Sequence, residues 1–220
     1  MPKCHRTPVS VVPTVAPHNC LSPYIIFQLD IPHGAVSGRC DDRTIFMEYL
    51  DLHYGDSHVI YTDGSRVTED QVSTASGMYC SYSKLGVSWR LNPGHSVMGA
   101  ELFAILQALK LAQESPLQSV VIFTDSRSSL ELVLGIPKTY KSIAFEIQKL
   151  LVNLNREKNV HLHWVKAHCG IPGNETADKL ANIGHMNDKS VLFPLSLEER
   201  LIFAKSSIPK SLGDHLEGDD

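Results

Sequence analysis

Short apolar runs alternate with longer amphipathic runs along the middle of this chain, and the two patterns predict different elements. Runs of about four to eight apolar or β-branched residues between Gly, Asn, Asp or Ser are typical of strands, whereas apolar residues at helical spacing indicate helices. In AELFAILQALKLAQ, for example, Leu102, Ile105 and Leu109 recur at helical spacing. We predict strands over residues 58–62, 75–82, 85–91, 119–124 and 160–165, and helices over 97–113, 126–134, 139–155 and 174–185.

The order of these elements predicts an α/β domain. Consecutive strands joined by short turns pair antiparallel, whereas strands separated by a helix pair parallel. We therefore expect a mixed five-stranded sheet, antiparallel at one edge, with helices on both faces. Functional side chains in such sheets gather at the carboxyl ends of the parallel strands.

Four carboxylates lie where the predicted apolar elements begin or end. Asp63 follows the strand of HVIYTDGS, and Asp125 follows the strand of VVIFTDS. Glu101 lies four residues before Ile105, so we expect it to project from the apolar, core-facing side of its helix. Asp178 lies one turn into the helix of GNETADKLAN. We expect these four side chains to converge on one site.

A converging set of carboxylates predicts a metal site. Carboxylates are rarely buried unless they are paired, and isolated buried charges are costly. An all-oxygen set of ligands fits Mg²⁺ or Mn²⁺ better than Zn²⁺. Two such ions about 4 Å apart can stabilise both the attacking and the leaving oxygen in a displacement at phosphorus. The predicted reaction class is therefore phosphodiester hydrolysis.

Each carboxylate also has an ordinary structural explanation. Asp63-Gly64-Ser65 is a common turn sequence, Asp125-Ser126 could cap the next helix, and a helical glutamate is most often solvated. These explanations account neither for Glu101 on an apolar helix face nor for aspartates at two strand ends.

His168 is a candidate proton carrier beside these carboxylates. It lies in the loop between the strand HLHWVKA and the next helix, with two glycines nearby. Imidazole titrates near neutral pH, and a glycine-containing loop can bring the ring over the site. His161 and His163 alternate along their strand and are expected to face solvent.

Four blocks of sequence carry a family resemblance: TDGS, AELFAI, FTDS and WVKAHCGIPGNETADKLA, in that order within residues 57–186. Together they resemble a type I ribonuclease H domain, and in particular the one in the reverse transcriptase polyproteins of non-LTR (Jockey-like) retrotransposons. The resemblance implies a ribonuclease H-like fold and hydrolysis of the RNA strand of RNA·DNA hybrids with two Mg²⁺ or Mn²⁺ ions. It also implies that Asp63, Glu101, Asp125 and Asp178 are metal ligands and that His168 assists catalysis.

The resemblance also implies residues that contact the substrate. Gly64 and Ser65 would meet the RNA strand, and Ser96 corresponds to part of a pocket for a DNA phosphate. Ser126 and Asn174 are further candidates for substrate contact, although Asn174 is also a plausible N-cap of its helix. The chain departs from the family at Gly99, where a helix-favouring or polar residue is common.

Charge bears on how tightly this domain could hold nucleic acid. The chain has a net charge of −4, but residues 57–190 contain 13 basic and 12 acidic residues, a balance of +1. The basic insertion common in cellular relatives is reduced here to LGIPKTYKS. We therefore expect weak, salt-sensitive binding and delivery of the substrate by a linked reverse transcriptase domain.

Further features of the sequence predict the domain organisation of the chain and its cellular compartment. Residues 1–55 are expected to be a largely irregular linker, residues 56–190 the catalytic domain, and residues 191–220 an extension with one short amphipathic helix and a disordered acidic end. Five cysteines without ligand spacing favour a reducing, intracellular location in nucleus or cytoplasm. Neither a signal peptide nor a membrane-spanning run is evident, and we expect a monomer.

Two other functions stay open at this point. The chain could be a catalytically silent domain that binds hybrids or another partner. It could also be another nuclease of the same fold, although such enzymes commonly order their carboxylates as Asp, Asp, Glu.

Overall fold

A mixed sheet forms the centre of the computed structural model, which describes residues 21–26, 42–68 and 72–207. Its strands are β1 (Ile25–Ile26), β2 (His58–Val67), β3 (Ser73–Cys80), β4 (Leu85–Leu91), β5 (Ser119–Thr124), β6 (Asn159–Trp164) and β7 (Ser190–Val191). The helices are α1 (Asp42–Tyr54), α2 (Val97–Glu114), α3 (Arg127–Leu134), α4 (Lys141–Leu154), α5 (Pro172–Gly184) and α6 (Leu197–Ser207), and a short 3₁₀ helix, Ser22–Tyr24, precedes β1.

The strands lie in the order β1-β6-β5-β2-β3-β4-β7 across the sheet. β2, β3 and β4 pair antiparallel because short turns connect them, whereas β2, β5 and β6 pair parallel because helices connect them. The predicted α/β class and the five predicted strands are confirmed. The predicted sheet of five strands was wrong in its number of strands, because it lacked β1 and β7. Each of these strands has two residues, which are too few to show an alternating pattern.

Both faces of the parallel part of the sheet are buried. Alternate residues of a strand point to opposite faces. Ile60 and Ile122 therefore join the core formed with α2 and α4, whereas Tyr61 and Phe123 join a second cluster with Phe46 of α1. Helices thus cover both faces, as the sequence predicts.

Helix α1 departs from the irregular structure expected for residues 1–55. Its side chains Phe46 and Tyr49 are buried, and the Phe46 ring lies edge-on to Phe123 with a centroid separation of 5.0 Å. Leu21, upstream, is fully buried as well. This part of the chain therefore packs on the domain, while residues 1–20 and 27–41 of the predicted linker lie outside the described residues. The predicted division into three regions stays a prediction.

The presence of α1 also overturns one expectation on β6. His163 is fully buried instead of facing solvent, and its Nε2 lies 3.1 Å from the hydroxyl of Tyr49. Burial lowers the pKa of His163 to about 4. His161 is partly buried. An alternating strand pattern cannot reveal a helix that covers the second face.

The C-terminal extension contains the predicted helix, α6. A two-residue strand, β7, first pairs parallel with β4, and the side chain of Phe193 then packs edge-on against Phe103 of α2. The acidic end over residues 208–220, expected to be disordered, lies outside the described residues. Within the described part of the chain, every helix is too short or too polar to cross a membrane.

Candidate active site

Three carboxylates meet at one end of the parallel strands. One oxygen from each of Asp63, Glu101 and Asp125 can be chosen so that all three lie within 4.8 Å of one another. Asp63 and Glu101 are buried, and Asp125 is half-buried. The structure therefore brings together three of the four carboxylates that the sequence predicts as one site.

Parallel pairing explains why the two aspartates are neighbours. The ladder between β2 and β5 ends with Thr62 opposite Thr124. Asp63 directly follows Thr62 and Asp125 directly follows Thr124, so the two aspartates lie side by side. Asp125 directly follows its strand, as predicted. Asp63 is instead internal to β2, because the antiparallel pairing with β3 continues to Val67.

Glu101 reaches this site because β2 and α2 approach closely. A Cβ at Gly64 would lie 2.7 Å from the backbone nitrogen of Glu101, so only glycine fits here. Glu101 lies on the buried side of α2, which confirms the helical-face prediction. The backbone of Gly64 also lowers the pKa of both carboxylates and so partly offsets the effect of burial.

The site is electrostatically unsatisfied without cations. Burial, followed by the charges of Asp125 and Asp178, raises the pKa of Asp63 to about 7. Burial, followed by the charges of Asp63 and Asp125, raises the pKa of Glu101 well above its usual range. Oε2 of Glu101 is buried and has no hydrogen-bond partner among the residues that the structure describes. Carboxylate oxygens that repel one another, one of them without a hydrogen-bond donor, fit a divalent cation.

Asp178 lies at the margin of this cluster. It sits on α5, is half-buried, and accepts a hydrogen bond of 3.1 Å from Nδ2 of Asn182. It lies outside the tight group of three, although its charge contributes to the raised pKa of Asp63. Gly77 and Gly173 allow α5 to pack directly on the sheet, since a Cβ at either position would overlap atoms of Ala177 or Tyr61.

His168 lies in the loop before α5, with an exposed side chain. Its backbone has φ 54°, a left-handed conformation that is uncommon for residues other than glycine. The loop position therefore agrees with the sequence prediction.

The predicted substrate residues differ in accessibility. Gly64 and Ser65 are half-buried on β2, and the hydroxyl of Ser65 donates to Asn182. Ser126 is half-buried before α3, where its hydroxyl lies 2.7 Å from that of Ser129. Ser96 is the N-cap of α2, and its hydroxyl accepts from the N–H of Gly99.

Asn174 does not cap its helix. Helix α5 begins at Pro172 with Ile171 as N-cap, because proline favours the first helical position. Asn174 is instead buried, and its Nδ2 donates a hydrogen bond of 3.0 Å to Oδ2 of Asp125. The residue therefore orients a site carboxylate.

Two further contacts at the site were missed by the sequence. Nε1 of Trp164 donates to the backbone oxygen of Asp125, and Glu199 of α6 accepts hydrogen bonds from Ser96 at the start of α2. No local pattern signals the tryptophan contact. The motif Ser196-Leu-Glu-Glu199 is a recognisable capping box, which would have drawn attention to Glu199.

A comparison with protein families agrees with this geometry. The family model described as RNase H matches residues 55–185, which is more than half of the 220 residues. The match spans β2 to α5 and contains all four carboxylates and His168. The chain therefore belongs to the RNase H family.

Proposed function

We propose that this protein is an endoribonuclease that hydrolyses the RNA strand of RNA·DNA hybrids with two divalent metal ions. The observation that carries the proposal is the group of Asp63, Glu101 and Asp125, in which one carboxylate oxygen of each residue lies within 4.8 Å of the others. Such a group is costly to fold unless cations are bound. Membership of the RNase H family supports the choice of substrate.

The four carboxylates fit Mg²⁺ or Mn²⁺. Asp63, Glu101 and Asp125 would hold one ion, and Asp178 together with Asp63 would hold the second. When bound, the two ions supply positive charge that acidifies the attacking water and stabilises the charge that develops at phosphorus. The raised pKa of Asp63 and of Glu101 means that metal binding also displaces protons from these groups.

The protein side chains around the ligands hold them in place. Asn174 fixes the Asp125 carboxylate, and Trp164 fixes the backbone at the same residue. The backbone of Gly64 lies beside both carboxylates and favours their charged forms. Contacts of this kind orient ligands and are typically worth about 10-fold to 100-fold in affinity or activity.

We propose that His168 moves a proton during the reaction. The side chain is exposed, lies on the loop that leads into the helix of Asp178, and can reach solvent on one side. A group of this kind accepts a proton from the attacking water or gives one to the leaving 3′-oxygen. The products are then a 3′-hydroxyl and a 5′-phosphate.

Gly64, Ser65, Ser96 and Ser126 are the proposed contacts with the hybrid. Gly64 and Ser65 lie beside Asp63 and are placed to meet the strand that is cut. The 2′-hydroxyl is the group that distinguishes RNA from DNA at such a position. The structure favours a positioning role for Asn174 over a direct contact with substrate, because the residue is buried against Asp125.

The decisive experiment compares three substrates in Mg²⁺ and in Mn²⁺: an RNA·DNA hybrid, single-stranded RNA and duplex DNA. We expect cleavage of the RNA strand of the hybrid alone, abolished by Asp125→Asn. Hybrid binding without cleavage would favour the silent binding domain, and cleavage of duplex DNA would favour another nuclease chemistry. A retrotransposon origin, a linked reverse transcriptase domain and a monomeric state stay predictions.

A further inference from the structure

Helix α6 places a carboxylate on the N-terminus of α2, the helix that carries Glu101. Glu199 is 3% exposed, and its Oε1 accepts hydrogen bonds of 2.9 Å from both the N–H and the hydroxyl of Ser96. Its Oε2 accepts one of 2.9 Å from the N–H of Ser196 and lies 3.3 Å from Nδ1 of His95. Helix N-termini bind anions because their N–H groups are unpaired and the helix dipole is positive there.

The start of α2 is shaped to receive this carboxylate. A Cβ at Gly99 would overlap Oε1 of Glu199 and would lie 3.2 Å from Nδ1 of His95. Glycine within a helix is unfavourable by about 1 kcal/mol relative to alanine. The departure from the family at Gly99 therefore has a physical reason, since any larger residue would push Glu199 out.

Helix α6 buries few of its side chains on the domain. Glu199 is its only buried residue among the residues described, and residues 200–207 are all exposed. Leu201 and Ile202 are 55% and 68% exposed. Besides Glu199, the carboxylate of Glu198 accepts a hydrogen bond of 3.4 Å from the N–H of Tyr140, at the start of α4. A helix held mainly by hydrogen bonds to its carboxylates can be displaced by a competing anion.

Helix α6 forms a wall of two clefts at the same time. One cleft, of roughly 450 Å³, is lined by Lys138, Lys141 and Tyr140 together with Leu197 and Arg200 of α6. The other, of roughly 540 Å³, is lined by Arg66, Arg90 and His95 together with Ile202 and Phe203 of α6. Gly99 lines the first cleft and His95 lines the second, so both clefts reach the N-terminus of α2.

Both clefts have a lining or neighbouring residue close to the candidate active site. Arg66 of the second cleft lies three residues beyond Asp63 on β2, which is about 10 Å along an extended strand. Ser96 lies five residues before Glu101, which is a rise of about 7.5 Å along the helix. A nucleic-acid strand that contacts Arg66 and Ser96 would therefore pass close to the candidate metal ligands.

We propose that α6 occupies the path of a nucleic-acid strand, with Glu199 in the place of a backbone phosphate, and that the hybrid must displace α6 to bind. This inference rests on the proposed function. A carboxylate and a phosphate accept hydrogen bonds from the same kinds of donor. The donors are the N–H and hydroxyl of Ser96, with the imidazole of His95 beside them.

A simpler role for Glu199 is to complete the capping box of its own helix. Its N–H donates to the hydroxyl of Ser196, and its carboxylate accepts from the N–H of Ser196. That box needs neither Ser96 nor His95. The contacts across to α2 and the space left by Gly99 are therefore additional to capping.

Displacement predicts that weakening the Glu199 contact tightens substrate binding. If α6 is docked about nine-tenths of the time, the apparent affinity is reduced about ten-fold relative to the open state. We therefore expect Glu199→Gln and Gly99→Ala each to bind an RNA·DNA hybrid on the order of ten-fold more tightly. The first variant removes the charge, and the second expels the side chain without changing α6.

The test uses the full chain carrying Asp125→Asn, so that the hybrid is bound but not cut, and fluorescence anisotropy at fixed salt. Glu157→Gln is the matched control, because it makes the same change of net charge at an exposed position outside α6 and outside both clefts. Affinity changed equally by Glu157→Gln and Glu199→Gln would overturn the proposal. A fall in melting temperature with unchanged affinity would leave Glu199 as a structural cap and would also overturn it.

Hydrogen exchange gives a second readout that does not depend on variants. Addition of hybrid should speed exchange of the amides of residues 197–207, because the docked helix is released. Unchanged or slower exchange there would contradict displacement. If the unmutated chain neither binds nor cuts the hybrid, both the proposed function and the displacement of α6 are wrong. If it cuts the hybrid, while Glu199→Gln and Gly99→Ala bind the hybrid with unchanged affinity, only the displacement of α6 is wrong.

Discussion

Two buried carboxylate sites lie along the first turns of α2, and the pKa values of their carboxyl groups are shifted in opposite directions. At the N-terminus, burial alone would raise the pKa of Glu199, but the imidazole of His95, 3.3 Å away, and hydrogen bonds from Ser96 and Ser196 outweigh it and lower the pKa to about 2. Further along the helix, Asp63 and Glu101 have raised pKa values. Burial is common to both sites, so the arrangement of donors decides the difference.

This contrast separates a carboxylate that is fully hydrogen-bonded from a cluster of carboxylates that is a candidate cation site. Glu199 has N–H and O–H donors aimed at both of its oxygens. Glu101 has a buried oxygen without a partner, and its neighbours are two more carboxylates. The first site is stable by itself, whereas the second gains most from divalent ions.

The largest effect is expected from removing a ligand at the second site. Asp125→Asn should lower turnover on the order of 10³-fold or more, because it removes a proposed ligand of the charge-stabilising ions. Cleavage of a labelled hybrid in Mn²⁺ measures this loss. Glu157→Gln, which changes an exposed carboxylate, is the control and should cut normally. Undiminished cleavage by Asp125→Asn would remove Asp125 from the site.

A smaller loss is expected at His168. His168→Ala should slow turnover about 10²-fold, the range for a lost proton-transfer group. Calorimetric Mn²⁺ affinity should stay unchanged, since the histidine is not assigned as a ligand. A sharp drop in that affinity would instead place His168 among the metal ligands.

Removing the hydrogen bond from Asn174 to Asp125 is expected to cause a smaller loss of activity than either change above. Asn174→Ala should lower activity or metal affinity about ten-fold, because the carboxylate loses the hydrogen bond that fixes it. Steady-state kinetics over a Mn²⁺ titration would show the effect. Asn153→Ala, at an exposed helical position, is the matched control. Equal activity of the two variants would show that Asp125 is held in place without Asn174.

The smallest effects are expected in stability, and they sharpen the comparison of the two sites. Asp63 has a pKa of about 7 against the usual 3.8, so its stabilising contribution is present below pH 3.8 and is lost as pH rises through about 7. Glu199 has a pKa of about 2 against 4.5, so its contribution is present above pH 4.5 and is lost as pH falls through about 2.

Melting curves of the metal-free protein across this pH range test both windows. Asp63→Asn should remove the loss of stability that occurs as pH rises through neutrality, and should raise the melting temperature near pH 8 by roughly 5 °C. Glu199→Gln should reduce the dependence of the melting temperature on pH in the acid range only. Mn²⁺ should raise the melting temperature more at pH 8 than at pH 5, and an equal rise at both would contradict the raised pKa of Asp63.

Much of the fold follows from short-range patterns. β5 spans Ser119–Thr124, as predicted, and α2 ends one residue beyond its predicted end. The same helical spacing correctly places Glu101 on the buried face of α2. These features are local, because a strand or helix imposes its period on nearby residues alone.

What the sequence could not supply depends on contacts between distant residues. The burial of His163 requires Tyr49 of α1, which lies 114 positions away in the chain, and the low pKa of Glu199 requires Ser96, 103 positions away. The sequence by itself determined the elements, the carboxylates and the likeness to a family. Only the tertiary structure decided which polar groups acquire partners, because donors and acceptors are paired by the packing of whole elements and not by their order in the chain.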